Sequence, residues 1–355
     1  MLGIRTYGED NLYPQLVQDI TRGSSTTSSC LSRYASFLEG DGVENVELSK
    51  AVVNGCGDTW DDVCRWVAND LARFGGFAIH ARYNAVGEIV AITPMHFEDL
   101  RLAERNEAGK TTKIAYHPDW TGKQTRAGRK LKVSADTIEW FDVFNPDAAQ
   151  AQMMAVGSVE DYKGQILYVS MAGNMEYPLP IYDECITPIS TDEGIDNVLY
   201  RNARNNFMTA GAIVHKRGYT GSAHDKDEFG EQLDTFQGDT NACSIMDITV
   251  ESDEDEPRFV SFRGESFDKE FVETSKRVVE SIYTAFKQEP WLCIRFGKVG
   301  FGGDVIKDAY NVYNLETDTE RRAIGRALTR VFNAWEQREN WGDTEIYIKP
   351  KQYVV

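Results

Sequence analysis

Cysteine is sparse and unpaired in this sequence. The six cysteines, Cys30, Cys56, Cys64, Cys185, Cys243 and Cys293, include no Cys-x-x-Cys spacing. That excludes a zinc ribbon, gives no disulfide framework, and leaves the thiols to be read as small buried hydrophobes. Histidine is as scarce: His80, His96, His117, His215 and His224 show no His-x-x-x-His or His-Glu-x-x-His spacing, and no cysteine or carboxylate stands beside them at ligand spacing, so no metal site is expected. No stretch approaches the ~20 consecutive apolar residues that span a bilayer. The opening Met1-Leu2-Gly3-Ile4-Arg5 lacks the apolar core of a signal peptide. The expectation is a chain that meets no membrane and stays in the cytoplasm where it is made. Positive charge is the last deficit: 38 Lys and Arg against 56 Asp and Glu leave a formal charge of −18. A protein that grips phosphates needs a positive field that releases counterions, so sequence-specific DNA binding is excluded. Handling DNA is not, where the duplex must slide, because weak or repulsive contacts leave no deep energy wells along its path.

With 355 residues, 41% of them hydrophobic and 26% charged, the chain has the composition of a folded globular protein and the length for two or three substructures or one elongated, layered subunit. The segment Tyr7-Gly8-Glu9-Asp10-Asn11-Leu12-Tyr13-Pro14 predicts a helix from about Tyr13, with Asn11 as cap and Pro14 in the first turn. Ser24 is placed to cap a second helix, in which Leu31, Tyr34, Ala35 and Leu38 recur at helical spacing before Gly40 and Gly42 end it. A third runs from Asp58 to Gly75 with Trp60, Val63, Cys64, Val67, Leu71 and Phe74 on one face. The pattern then turns to β: 77–83 and 88–93 form a hairpin around Asn84 to Gly87, followed by short strands at 97–102, 113–116, 137–144 and 165–171. The loop Pro118 to Arg129 leads into the densest basic run, Lys123, Arg126, Arg129, Lys130 and Lys132, read as a solvated loop.

Further on, the sequence predicts a helix over Thr191 to Thr209, a strand at 212–216, a helix near 225–236 and a strand at 244–250. The run Glu251-Ser252-Asp253-Glu254-Asp255-Glu256-Pro257 reads as a solvated loop; it lacks the Gly and Glu positions of an EF-hand, so calcium is not expected. The longest amphipathic pattern, about Ser266 to Lys287, carries Phe267, Phe271, Val278, Ile282, Tyr283 and Phe286, and Glu289-Pro290 is expected to stop it. After a glycine-rich loop a helix resumes near Asp304. Another starts with a Thr317–Glu320 capping box and carries Ile324, Leu328, Val331, Phe332 and Trp335, and a strand at 344–348 closes the chain. These elements divide the chain into an N-terminal helical region (1–75), a β-rich module (76–190), a mixed α/β region (191–262) and a long-helix C-terminal region with the glycine-rich loop (263–355). The fold class is α+β, a multi-layer subunit with long amphipathic helices and a β-rich middle module.

Signatures of catalysis are missing. The loop Gly297-Lys298-Val299-Gly300-Phe301-Gly302-Gly303-Asp304 has the glycines of a phosphate cradle, but Lys298 precedes them and Asp304 would repel phosphate, so it is not a Walker loop. Gly264-Glu265-Ser266 does not continue to the glycine of a nucleophile elbow. No cofactor and no catalytic residue is assigned, and the chain is not read as an enzyme. A structural or assembly role remains, with a hydrolase or nucleotide-dependent enzyme as the alternative from another class.

The N-terminal phrase Tyr7 to Pro14, leading through Ser24 to Gly40-Asp41-Gly42, resembles the start of tailed-bacteriophage portal proteins of the HK97-like kind. The order that follows is similar too: a helix before Gly75-Gly76 and a hairpin, the Pro94-x-x-Phe97 step, β segments, the stretch from Pro188-Ile189-Ser190 to Phe207 and Gly211, and a long helix meeting a proline at Pro290. A portal's usual two-proline phrase is here the single Pro290 followed by Trp291, Leu292 and Cys293. The resemblance implies a homo-oligomeric ring of about twelve subunits at one capsid vertex. It implies a channel for packaging, retaining and ejecting double-stranded DNA without sequence preference, and a platform for head–tail attachment. The partners implied are the large terminase subunit, adaptor or neck proteins, and the major capsid or scaffolding protein; the location implied is the virion, after assembly in the host bacterial cytoplasm. The portal itself catalyses no reaction. On this reading Gly297, Lys298, Gly300, Phe301, Gly302, Gly303 and Lys307 are the candidate DNA-facing loop. Another head or neck component, such as an adaptor, is the structural alternative.

Overall fold

The computed structural model describes residues 2–123, 125–126, 129–130, 132–158, 160–173, 175–204, 211–216, 245–250, 258–261, 267–295, 297, 303–342 and 344–353. The helix expected near 225–236, the acidic run 251–257 and residues 205–210 lie outside these. The chain divides into two compact units, the first of Met1–Arg22, Thr27–Glu184 and Tyr283–Val355, the second of Gly23–Thr26 and Cys185–Ile282.

In the first unit the N-terminal helices are α1 (Tyr13–Gly23), α2 (Ser25–Glu39), the short α3 (Val46–Ser49) and α4 (Trp60–Phe74). Helix α4 is bounded as its sequence dictates. Thr59 and Asp62 form a reciprocal capping box, Gly75 closes the last turn in the left-handed conformation, and the six predicted apolar residues are all buried. That face packs on a six-stranded sheet ordered β2-β1-β8-β7-β4-β3, whose strands are β1 (Gly76–Tyr83), β2 (Ile89–Met95), β3 (Leu100–Leu102), β4 (Lys113–Tyr116), β7 (Glu139–Val143) and β8 (Gln165–Ser170). Only β7–β8 is parallel. The β1–β2 hairpin is the predicted one, with a register irregularity at Arg82/Tyr83. β5 (Thr125–Arg126) and β6 (Arg129–Lys130) form a separate ribbon within the basic run, where Lys123 and Lys132 are exposed.

The C-terminal helices of this unit are α8 (Glu289–Arg295), α9 (Gly303–Glu316) and α10 (Asp318–Phe332). α10 packs on α4: Trp60 meets Phe332 and Trp335 edge-to-face, with ring centroids 5.9 and 5.6 Å apart. The chain beyond it lies along β2, where the Ile89 amide donates to Ala334 O and the Glu336 amide to Ile89 O, so the outer edge of β2 is covered. Residues 347–349 then pair with 41–44 through the Glu44 amide to Tyr347 O and the Lys349 amide to Gly42 O, a single bridge rather than the strand expected at 344–348.

Several local expectations differ from the structure. Asn11 does not cap α1: it adopts φ +65 and its Oδ1 turns back to accept the Tyr7 amide. Thr317 makes no capping bond; its hydroxyl donates to Tyr313 O, because α9 runs directly into it. Pro290 does not merely stop a helix but sits in the first turn of α8, a position that needs no amide proton. Residues 97–99 form a 3₁₀ turn before the short β3. Helix α5 (Ala149–Val156) was not anticipated: Met154 and Val156 are exposed and no apolar stripe marks it. Cys30 and Cys64 are buried as read, whereas Cys56 is exposed, Cys185 and Cys293 are half-buried, and Cys243 lies outside the described residues.

The second unit contains α6 (Ile186–Arg204), most of α7 (Phe267–Ala285) and a three-stranded sheet β10-β9-β11. β9 (Gly211–Lys216) pairs in parallel with β10 (Ile245–Val250) and antiparallel with β11 (Arg258–Ser261). α6 starts five residues earlier than Thr191 because Pro188, in its first turn, fits where no intrahelical amide is required. Within this unit the Ser24 hydroxyl donates to Asp192 Oδ2 at 2.7 Å. The architecture is α+β with a β-rich middle, as the composition and patterning predict.

Candidate functional site

The candidate DNA-facing loop joins α8 to α9. Gly297 follows α8 with φ +66, its amide reaching Ile294 O at 3.1 Å, and Gly303 opens α9. Lys307 lies one turn into α9, exposed and without an ion-pair partner among the described residues. Lys298, Gly300, Phe301 and Gly302 lie outside the described residues, so the structure places three of the seven predicted positions.

Gln288 is fully buried in the turn between α7 and α8. Its Nε2 donates to Cys30 O and to the Tyr313 hydroxyl, both at 2.8 Å, while its Oε1 accepts from Arg33 Nη1 at 2.9 Å. The Tyr313 hydroxyl donates in turn to Phe286 O at 3.0 Å. Every polar atom of the amide therefore has a partner, which is the condition for burying it. Around it, Phe37 packs on Trp291, Tyr310 and Tyr313, and the Arg33 guanidinium lies 4.9 Å over the Trp291 ring. The start of α8 and the second half of α9 are thus clamped to α2. Sequence reading missed Gln288, because a glutamine beside a helix-stopping proline reads as exposed.

A second polar centre explains the N-terminal phrase. Arg101, on β3, is fully buried, and its five N–H donors meet five acceptors: Nε the Oδ1 of Asn11 at 2.7 Å, Nη1 the carbonyls of Glu98 and Leu100 at 2.8 and 2.7 Å, Nη2 the Asn11 carbonyl at 2.6 Å and Gln15 Oε1 at 3.1 Å. The guanidinium lies 5.7 Å over Tyr7 and 4.9 Å over Trp120, and Tyr7 stacks on Tyr177 and Tyr13. Burial pushes its pKa down to about 10, partly offset by Tyr177 and Tyr7, so the charge persists. Gly8 is required here: at φ +79, a Cβ would stand 2.9 Å from Tyr13 Cβ. The aromatic-Gly-x-Asp-Asn-x-Tyr-Pro phrase is therefore the wall of an arginine site that fixes α1 to the sheet. Asp99 beside it has its pKa pushed up to about 7, by burial and then by Glu98, with Arg101 opposing.

An open groove of about 720 Å³ lies between α10 and residues 345–348. Arg322, Arg326 and Arg330, one helical turn apart, line it and are exposed, whereas Arg321 is buried and bonded to Phe37 O, Asn314 and Thr317. This stripe is legible in the sequence as arginines at i, i+4 and i+8, where the apolar face of the same helix was the stronger signal. Among the described residues, no group of three or more ligating side chains is placed to hold a metal ion, and no helix is long and apolar enough to cross a membrane.

No family model matches the sequence and no curated protein matches it. The fold is similar to solved structures. A chain from the neck of an empty gene transfer agent (GTA) particle, computed with C6 symmetry, superposes with a TM-score of 0.53 at 14% identity over 94% of this chain and 84% of that one. A chain from the neck of the native GTA particle, computed with C12 symmetry, gives 0.50 at 13% identity over 98% and 85%. An HK97 family phage portal protein from Corynebacterium diphtheriae gives 0.39 at 9% identity over 94% of both chains. At 13 to 14% identity the two neck chains establish a shared fold.

Proposed function

We propose that this chain is the subunit of a phage-type portal, a closed ring of about twelve copies at one capsid vertex. Double-stranded DNA passes through the ring during packaging, is retained by it and leaves through it, while the outer face attaches head to tail. The observation that carries this reading is the fold shared, over nearly the whole chain, with neck subunits of a virus-like particle computed with C6 and C12 symmetry. The N-terminal phrase supports it, since its residues are committed to the Arg101 site rather than to chemistry. Net acidity supports it as well, because a channel that repels the duplex lets it slide.

In this reading the large terminase subunit docks on the ring during packaging and adaptor or neck proteins replace it afterwards, with major capsid or scaffolding protein around the vertex. The chain works in the virion after assembly in the host bacterial cytoplasm, and the motor's ATP hydrolysis belongs to a separate protein. The loop Gly297 to Gly303 lines the channel, with Lys298 and Lys307 its nearest cations, held by the Gln288 clamp. Deleting residues 298–302 in assembling particles tests the assignment. Rings should still form and DNA-filled heads should be lost, whereas unchanged packaging and retention would remove the loop from the channel.

A further inference from the structure

An acidic chain that assembles with copies of itself must overcome like-charge repulsion, and the first unit carries two helical stripes suited to that. The basic stripe is Arg322, Arg326 and Arg330 on α10. Arg322 pairs with Asp318 at 2.8 Å and Arg330 lies 5.7 Å over Phe144, but Arg326 has neither ion pair nor hydrogen bond among the described residues. The second stripe is Asp58, Asp62, Trp66 and Asp70, at the start and along the exposed side of α4, lining a groove of about 360 Å³ with Arg65 and Asn69. Trp66 is 40% exposed, a large aromatic left on the surface. Arg65 is occupied by Glu39 at 3.0 Å and Asp62 at 3.6 Å. Asp70 keeps one enclosed carboxylate oxygen, Oδ2, with no hydrogen-bond partner, and its pKa is raised by burial and then by Glu98. Burial thus favours the neutral form of Asp70, and the charge of this stripe lies at Asp58 and Asp62.

The two stripes share a pitch, since four helical residues advance ~6 Å in each. We propose that they are the two faces of a head-to-tail contact between copies of this chain: the α10 arginines of one subunit lie along the α4 stripe of the next, with Arg326 over Trp66 and a neighbouring arginine toward Asp62. A heterologous ring requires two different, mutually complementary patches on every subunit. On a surface of net charge −18 the α10 groove is where a second acidic copy meets attraction. Arginine over tryptophan adds a cation–π contact, and its planar guanidinium can also stack on the ring, as a lysine ammonium cannot. This inference rests on the ring reading above and adds its residues.

The test uses the full chain in two forms. In the first, Arg322→Glu with Arg326→Glu should raise the concentration for half-assembly at least about tenfold by light scattering, with an unchanged circular dichroism spectrum. In the second, Trp66→Cys and Arg326→Cys are combined with Cys56→Ser, and a bismaleimide should link copies into a ladder of 40.0 kDa steps that the Cys56→Ser parent does not give. If the parent forms rings but the double-cysteine chain gives no ladder and the glutamate variant assembles normally, the contact is wrong and the ring reading stands. If the parent forms no ring, both fall.

Discussion

The Nε of Arg101 lies 2.7 Å from the Oδ1 of Asn11, joining residues 90 positions apart in sequence. The same Oδ1 accepts the Tyr7 amide at 3.0 Å, so one side chain closes the N-terminal turn and binds the buried cation. Asn11→Ala removes both bonds and places a β-carbon residue at φ +65; the expected cost is about 3 kcal/mol by urea unfolding. Asn11→Gly relieves the backbone part alone, so it should recover only a fraction of that loss.

Gly325 stands in the middle of α10, where glycine costs a helix about 1 kcal/mol relative to alanine. A Cβ there would lie 2.7 Å from the carbonyl oxygen of Ile346, which crosses the helix at this point. Gly325→Ala is therefore expected to lower stability by about 1–2 kcal/mol in thermal or denaturant unfolding, against its helix propensity. A stabilised variant would mean that 344–348 is not held on α10.

Asp99 supplies a pH test. Its carboxyl is raised from 3.8 to about 7 in the fold, so the folded state favours the neutral form. Stability from protonation is complete below 3.8 and is lost as pH rises through about 7. Asp99→Asn carries no such charge. Its melting temperature relative to the parent should rise across that window and level off above it; a difference independent of pH would show that Asp99 is not penalised by burial.

Gln288→Leu keeps the volume but leaves the Cys30 carbonyl and Arg33 without their partner inside the clamp. About 3 kcal/mol should be lost on unfolding. Lys307→Ala, on the exposed side of α9, should leave stability within about 0.5 kcal/mol of the parent. Equal effects from both would argue against Gln288 clamping α8 and α9 to α2.

Helix α4 and the β1–β2 hairpin were readable because local signals agree there: a cap, an apolar stripe, a closing glycine and a turn between two β-rich runs. Arg101 was not, because its acceptors come from Asn11 and Gln15, and an arginine in a short strand carries no mark of burial. α5 escaped for the opposite reason, having apolar residues without a face. The Thr317 capping pattern misled because a threonine hydroxyl has two local acceptors to choose between, and a helix on its N-terminal side offers the carbonyl first. Of the candidate loop, sequence could locate the glycines, while the clamp on the flanking helices depends on Gln288 meeting Cys30, 258 positions away.

Electron microscopy of the purified full chain tests the central claim most directly. Closed rings of about twelve subunits, with a central opening wide enough to pass a DNA duplex, are the expected result. A population of compact monomers or dimers at every concentration tested, with no closed ring, would contradict it.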